Sequence, residues 1–236
     1  MLVGALIALL ILLCWTAHLF YLLPNGALSW QTPISYCHIA LQGYLSTGLF
    51  ITAHDAMHGS VSKTRWLNHT MGFVACFLFA AMWYPQLRKN HYRHHAEPAS
   101  ENDPDFYVGS QNFWLWLGAF LTRYATWQQL VIMATLYNVM ERVFLIPESR
   151  IWMFWMIPSF LGALQLFYFG TYRPHKLPLT AEMLPHNART LRKNHVWAML
   201  SCYFFGYHWE HHHSPSTPWW ELWKEKEKLT ATKKVA

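Results

Sequence analysis

Charge is what this chain has least of. Only 13% of its 236 residues are charged, against about a quarter in an ordinary soluble domain. No Asp, Glu, Lys or Arg occurs before Asp55. A water-facing surface needs solubilising groups, so a first quarter without them excludes a soluble domain there and points to lipid. Cysteine is also sparse. Cys14, Cys37, Cys76 and Cys202 form no CxxC pair, which excludes a thiolate metal site and a disulfide framework and leaves them as small buried residues. A basic patch on a soluble module, as nucleic-acid binding would require, is lacking. The net charge of +6 instead suits basic loops facing an anionic cytoplasmic leaflet.

What the chain does have is long apolar runs. A crossing helix needs about 20 apolar residues, because each adds about 1.5 Å against a hydrocarbon core of about 30 Å. Met1–Leu23 meets this and lacks the basic start of a secretory signal. Pro24-Asn25-Gly26 through Pro33 breaks it, and Ile34–Ala53 supplies a second crossing. Tyr124–Ile146 and Ile151–Tyr172 form a second hairpin around the turn Pro147-Glu148-Ser149-Arg150. Gly72–Tyr84, ended by Pro85, and Val196–Tyr207 are too short to cross and read as re-entrant or interfacial helices, and aromatic Phe113–Phe120 suits the interface. The charged tail after Trp219 has the pattern of a solvated helix.

These runs define one domain over residues 1–236: all-α, integral to the membrane, with four transmembrane helices in two hairpins. Lys63, Arg65, Arg88, Lys89, Arg93, Arg173, Lys176, Arg189, Arg192 and Lys193 all fall in the two polar regions, whereas the hairpin turns hold only Arg150. The positive-inside rule therefore places both polar regions and both termini in the cytoplasm.

Fifteen histidines are many for so apolar a chain. Three clusters stand out: His54-Asp-Ala-Met-His58, His91-Tyr-Arg-His94-His95 and His208-Trp-Glu-His211-His212. Residues three and four apart share a helix face, so each cluster aims two or three imidazoles at one point. Each lies at the cytoplasmic edge of an apolar segment, with His54 at the end of the second crossing and His208 at the end of the helix 196–207. Eight imidazoles exceed what one ion accepts, which implies two, and imidazole suits Fe, Zn, Cu and Ni. Asp55, Asp103, Asp105 and Glu210 are available to orient ring N–H groups and offset charge. His175 lies at the right side and depth for a ninth ligand, with His186 as its competitor. His18 and His38 are expected to be structural, and His69 and His195 interfacial. His213 is off the spacing. A metal transporter is the non-enzyme alternative, although its ligands should lie at mid-membrane in broken helices.

The three clusters resemble those of the membrane fatty-acid desaturase and hydroxylase superfamily. Phe50-Ile-Thr-Ala-His54-Asp-Ala-Met-His58-Gly59, Asp103-Pro-Asp-Phe-Tyr107, Gln165-Leu-Phe-Tyr-Phe-Gly170-Thr-Tyr-Arg-Pro-His175, His186-Asn-Ala-Arg189 and Phe205-Gly-Tyr-His208-Trp-Glu-His211-His212 with Pro218-Trp-Trp220 narrow the resemblance to the bacterial-type β-carotene ketolases, over about residues 44–223. The resemblance implies a non-haem two-iron centre, with His54, His58, His91, His94, His95, His208, His211 and His212, joined by His175, as ligands. It implies O₂ as co-substrate and two successive oxidations of C4 of a carotenoid β-ionone ring, ending in a ketone. A carotenoid 3-hydroxylase or a lipid desaturase is the alternative. Without a fused cytochrome b5 domain or dinucleotide fingerprint, electrons are expected from a separate ferredoxin-like protein. Phe50, Trp83, Tyr84, Phe167, Phe169, Phe205 and Trp209 are the candidates to line a channel that admits substrate from lipid.

Overall fold

The computed structural model describes residues 2–235, and among them there is helix but no strand. The first hairpin pairs α1 (Leu2–Leu22) with α2 (Pro33–Met57). Ala8, Ile11, Leu12, Trp15 and Leu19 form the buried stripe of α1, while Val3, Leu6, Leu10, Leu13 and Phe20 lie exposed. The stripe follows helical spacing, and the exposed apolar face is stable only against lipid. Polar contacts join the two helices: Trp15 Nε1 donates to Ser46 Oγ at 3.0 Å, and His18 lies 2.6 Å from Gln42 Oε1 and 3.0 Å from His38. His18 and His38 thus serve the hairpin. Cys76 and Cys202 are buried as expected, but Cys14 and Cys37 are exposed, because they fall on the outer faces of α1 and α2.

After α2, helix α3 (Arg65–Ala80) is followed by α4 (Tyr84–Ala96) at a bend of 99°. Ala81, at φ 52°, ends α3 in the left-handed region. Pro85 ends nothing; it occupies the first turn of α4, where its missing N–H costs no hydrogen bond and its fixed φ suits the helix. The short helix expected at 72–84 is therefore two helices, and the bend carries the second histidine cluster across the end of α2.

Helix α5 (Phe113–Tyr124) and helix α6 (Trp127–Arg142) come next. The apolar run 124–146 is interrupted at its start, where Thr126 and Gln129 form a capping box. What remains is 16 residues of helix, about 24 Å, followed by exposed Val143, Phe144 and Leu145. Helix α7 (Glu148–His175) is 28 residues long, with π-helical stretches at Trp152–Met156 and Phe167–Tyr172. By length and composition two helices suffice to cross a bilayer, α1 over Val3–Leu22 and α7, or up to three if the bent α3–α4 pair is one span. Helix α2 has the length, 25 residues, but its inward face holds Ser35, Gln42, Ser46, Thr47 and Thr52, so its average composition is less apolar.

Helices α2 and α7 cross through small residues. A Cβ on Gly162 would lie 3.2 Å from Ser46 Cβ and from Thr47 N, and one on Gly43 would lie 3.2 Å from Leu161 Cβ. Small residues allow the close approach by which membrane helices gain packing energy. Thr47 donates to Gln165 Oε1, and the Gln165 amide reaches the Ser201 carbonyl. That carbonyl belongs to α8 (His195–Cys202), which ends as Tyr203 and Phe204 adopt φ 47° and 58°. The chain reverses there, so His208 opens a new helix, α9 (His208–His213), and does not close a helix running from 196. The tail forms α10 (Leu222–Val235).

At the end opposite the histidines, Arg150 Nη1 donates to the Leu23 carbonyl at 3.2 Å, tying the two hairpin turns together. The expected consequence of the tight α2–α7 crossing is that Gly162→Val destabilises the protein by about 1–3 kcal/mol through overpacking. Thermal unfolding in detergent reads this as a lowered midpoint, and an unchanged midpoint would show that the crossing has slack.

Candidate metal centre

Four elements deliver the histidines to one place. The last turn of α2 carries His54, with His58 at its C-cap; α4 carries His91, His94 and His95; α7 ends on His175; α9 carries His208, His211 and His212. In α4 and α9 alike, a pair four apart shares a face and a third ring lies off it. The π-helical stretch Phe167–Tyr172 shifts the phase of α7 just before His175, a device often found next to functional sites.

The imidazoles separate into two groups. His54, His58, His91, His95 and His211 form one, and His94, His175, His208 and His212 the other, with the ligand atoms of each group within 4.8 Å of one another. Each group draws on several clusters: His54 and His58 stay together, whereas the second and third clusters are each split between the groups. His54 and His211 bring their Nε2 atoms to 3.1 Å, His58 and His91 to 2.7 Å, and His95 and His211 to 2.9 Å. In the second group His94 and His208 each lie 3.1 Å from His212, again Nε2 to Nε2. Two imidazole nitrogens bound to one ion at about 2.0–2.1 Å stand about 2.8–3.4 Å apart for bond angles of about 90–109°. The groups adjoin, with the His95 and His212 rings stacked at 4.2 Å.

The hydrogen-bonding pattern of the second group fits a cation, as the short Nε2–Nε2 distances of the first do. His94 Nδ1 donates to Asp103, at 2.9 and 3.0 Å from its two oxygens, and His175 Nδ1 donates to the Asn187 carbonyl at 2.9 Å. With the proton held on the outer nitrogen, Nε2 points inward as a lone pair. His175 Nε2 is buried with no hydrogen-bond partner among the described residues. Such an orphan is costly unless a metal takes it. The residues present therefore fit two bound metal ions.

Electrostatics agree. Burial, then the neighbouring imidazoles, hold His91, His95, His208, His211 and His212 below the ordinary histidine value, so they stay neutral as ligands must. His94 is the exception. Burial alone would lower it, but the charges and hydrogen bond of Asp103 and Asp105 outweigh that and raise it. Burial works against the Asp103 carboxylate too, yet His94 brings it below its ordinary value. The carboxyl of Asp103 is further fixed by N–H donors from Ala99 and Asp105, both at 2.8 Å. Asp105 lies 3.9 Å from His94 and accepts from the Tyr124 hydroxyl. Both acids sit behind His94, on its Nδ1 side, so they steer that ring.

The other two expected acids have different work. Asp55 stands 3.5 Å from His54 Nδ1, which has no hydrogen-bond partner. Its carboxylate instead accepts the Trp219 N–H at 3.0 Å and anchors the C-terminal segment. Glu210 is buried near Lys226 and hydrogen-bonds to no histidine among the described residues. His186 stays outside both groups, 3.5 Å from exposed His213. His69 pairs with the Tyr84 hydroxyl, and His195 with Tyr207 and Glu227. Asn187, Tyr124 and Arg123, which reaches the Pro104 and Phe106 carbonyls, went unnamed as supports. Only Asn187 carried a signal, being part of the motif His186-Asn-Ala-Arg189.

From the histidines a cavity of ≈ 310 Å³ runs between α2, α4, α5, α6 and α7. His54, His91, His94 and His208 form one end. Phe50 and Phe205 line it, with Met57, Phe79, Phe120, Met133 and Ala163. The other aromatic candidates do not. Trp83 is exposed at 65%, Tyr84 packs on Gly72, and Phe167 joins Trp116 and Phe106 in a separate cluster. Phe169 faces a groove on the other side of α7, and Trp209 stacks on His213. Leu121, Leu130 and Phe160 line the cavity and are also exposed, so its mouth opens on the apolar exterior.

Three outcomes are expected. His94→Ala loses the metal of the second group, read by elemental analysis of the purified protein, and full retention would remove His94 from that group. Asp103→Asn keeps the fold but weakens metal retention about 10–100-fold. In chelator-treated protein, stability falls as pH drops below the ordinary imidazole value. The five lowered histidines contribute stability that is present above it and lost below, against the raised His94 and the Asp105 carboxyl, raised by burial, with the opposite sign. Denaturation followed at a series of pH values checks this.

The family model described as fatty acid desaturase matches residues 28–151 and 143–232. A β-carotene ketolase of Paracoccus sp. (strain PC1) is 38% identical, over 90% of this chain and 87% of that protein. A second β-carotene ketolase, from Paracoccus sp. (strain N81106 / MBIC 01143), is 39% identical over 76% of this chain and 74% of its own length. A zeaxanthin 4-ketolase of Chlamydomonas reinhardtii is 37% identical over 88% of this chain, which spans 48% of that longer protein. With the family model and the relatives' similarity running through nearly all of the sequence, the chain belongs to the fatty acid desaturase family, in the branch of the β-carotene ketolases.

Proposed function

We propose that this membrane protein is an O₂-dependent, non-haem two-iron oxygenase that converts the C4 methylene of carotenoid β-ionone rings to a ketone. The observation that carries the reading is the pairing of two all-imidazole groups with an apolar cavity that opens where lipid would lie. A hydrocarbon substrate needs no polar recognition along its length, only a dry channel that ends at the oxidising centre.

His54, His58, His91, His95 and His211 would hold one iron, and His94, His175, His208 and His212 the other. Two irons bound there would supply O₂ activation and hydrogen removal from the allylic C–H bond, chemistry that no side chain offers alone. The chain does the rest. Phe205 packs on the His54 and His208 rings at 4.9 and 5.4 Å, and with Phe50 it walls the metal end of the cavity so that a flat ring is held against the imidazoles. The apolar walls exclude water. Asp103 holds its proton-sharing contact with His94 and keeps that ring's inner nitrogen free. Electrons come from a separate, ferredoxin-like protein.

The topology we infer has four crossings, α1, α2, α6 with its apolar extension to residue 146, and α7. The Arg150–Leu23 bond gathers both hairpin turns at one end, and the positive-inside rule assigns the opposite, histidine-bearing end and both termini to the cytoplasm.

Expression in a bacterium that accumulates β-carotene tests the reading. Pigments carrying a new carbonyl at one or both rings are the expected result, by chromatography and mass spectrometry. Hydroxylated pigment alone would keep the metal site and transfer the activity to a hydroxylase, and unchanged β-carotene with well-inserted protein would overturn the substrate class. Narrowing the channel with Ala163→Phe is expected to lower ketone formation by at least about tenfold with bound iron unchanged.

A further inference from the structure

The wall of the cavity carries few polar side chains besides the histidines, and all but one are already engaged. Ser159 Oγ donates to the Trp155 carbonyl at 2.7 Å. The Gln129 amide donates to the Ala80 carbonyl at 2.7 Å, and its oxygen accepts from Thr126 N. Asp105 and Tyr124 are bonded to each other. The exception is Thr171. It lines the cavity and is 95% buried, at 5% exposure, yet its hydroxyl makes no hydrogen bond among the described residues. Buried Thr52, by contrast, returns its hydroxyl to the carbonyl four residues back, Gly48, at 2.9 Å. Thr171 lies inside the π-helical stretch Phe167–Tyr172, where backbone hydrogen bonding runs to the fifth residue and the usual acceptor is out of place.

Its position is also specific. Neighbouring Gly170 lies so close to Phe205 that a Cβ there would come within 2.0 Å of Phe205 Cε1. Phe205 in turn touches the His54 and His208 rings. Thr171 therefore stands at the metal end of the cavity, not at its mouth.

Ketone formation at a methylene takes two rounds at one carbon. In the first, C–H becomes C–OH as one oxygen of O₂ enters the substrate and the other leaves as water, with two electrons and two protons from the donor. The second round repeats this on the remaining C–H, and the geminal diol loses water to give C=O. Between rounds the ring carries a hydroxyl in an apolar pocket. An unpartnered hydroxyl there loses its hydration without compensation, which favours release of the half-oxidised ring.

We propose that Thr171 is a product-determining positioning residue, whose free hydroxyl hydrogen-bonds the 4-hydroxy group of the half-oxidised ring and retains it for the second oxidation. A hydroxyl both donates and accepts, so it can serve the carbinol and then the diol without moving. The inference rests on the carotenoid 4-ketolase reading above.

The test is the pigment profile of cells accumulating β-carotene and expressing wild-type protein, Thr171→Val, Thr171→Ala or Thr171→Ser, with bound iron measured on each purified protein. The expected result is that Val and Ala raise the ratio of 4-hydroxy to 4-keto rings about tenfold, the factor to which 1.4 kcal/mol corresponds, at unchanged iron content. Ser, which keeps the hydroxyl, restores the wild-type ratio. A role in packing alone would lower total product without moving that ratio. If wild-type protein makes ketone and both Val and Ala keep its ratio, the assignment of Thr171 is overturned while the ketolase reading stands. If wild-type protein makes no ketone, the ketolase reading fails and the assignment falls with it.

Discussion

Nine buried or half-buried imidazoles point their Nε2 atoms at two shared positions, and that convergence governs the rest of the molecule. A neutral imidazole has one donor and one acceptor nitrogen. Where the outer nitrogen donates, as in His94 to Asp103 and His175 to Asn187, the inner one is left as an acceptor facing other acceptors. Only a cation satisfies both groups at once. The scaffold serves this arrangement: the 99° bend between α3 and α4, the left-handed pair Tyr203–Phe204 that starts α9 afresh, and the π-helical turn before His175 each redirect a helix end toward the same point.

The membrane explains why so polar a centre can sit in so apolar a chain. Lipid covers the outer faces of the helices, so the polar residues that remain are free to face inward. Gln42, Ser46, Thr47 and Gln165 use that freedom to hold α1, α2, α7 and α8 together. The apolar residues perform two tasks. On the outside they match the bilayer, and between α2, α5, α6 and α7 they line the cavity that joins the bilayer to the histidines. Leu121, Leu130 and Phe160 belong to both surfaces, which is the physical basis for entry of a lipid-soluble substrate from the side.

Support around the centre is uneven, and the unevenness has a cause. His94 is the ring held by the buried carboxylate of Asp103 with half-buried Asp105 behind it, and these are locked in turn by backbone donors and by α5 through Tyr124, Arg123 and Trp116. The loop 97–111 therefore reads as a clamp on one ligand, with α5 as its backing plate. Asp55 and Glu210, although adjacent in sequence to ligands, point elsewhere. A side chain next to a ligand on a helix lies about 100° around the axis from it, so sequence adjacency turns it away from the site.

The sequence by itself determined the apolar helices and the histidine clusters on their faces. An uncharged first quarter and repeated apolar runs could be read as lipid-facing helices, because the cost of burying charge does not depend on what the helices pack against. The spacing of three and four between histidines could be read as shared helix faces, because that periodicity is local. It did not decide which rings share an ion, since each group takes members from three or four elements far apart in the chain. Nor did it decide the cavity lining, where Phe50 and Phe205 face the channel but Trp83, Tyr84, Phe167, Phe169 and Trp209 do not. An aromatic residue near a membrane edge can anchor, pack or line with equal local propensity. Helix rotation and crossing, set by small residues such as Gly43 and Gly162 and by the backbone departures at Ala81, Tyr203 and Phe204, choose among these, and those are properties of the tertiary structure alone.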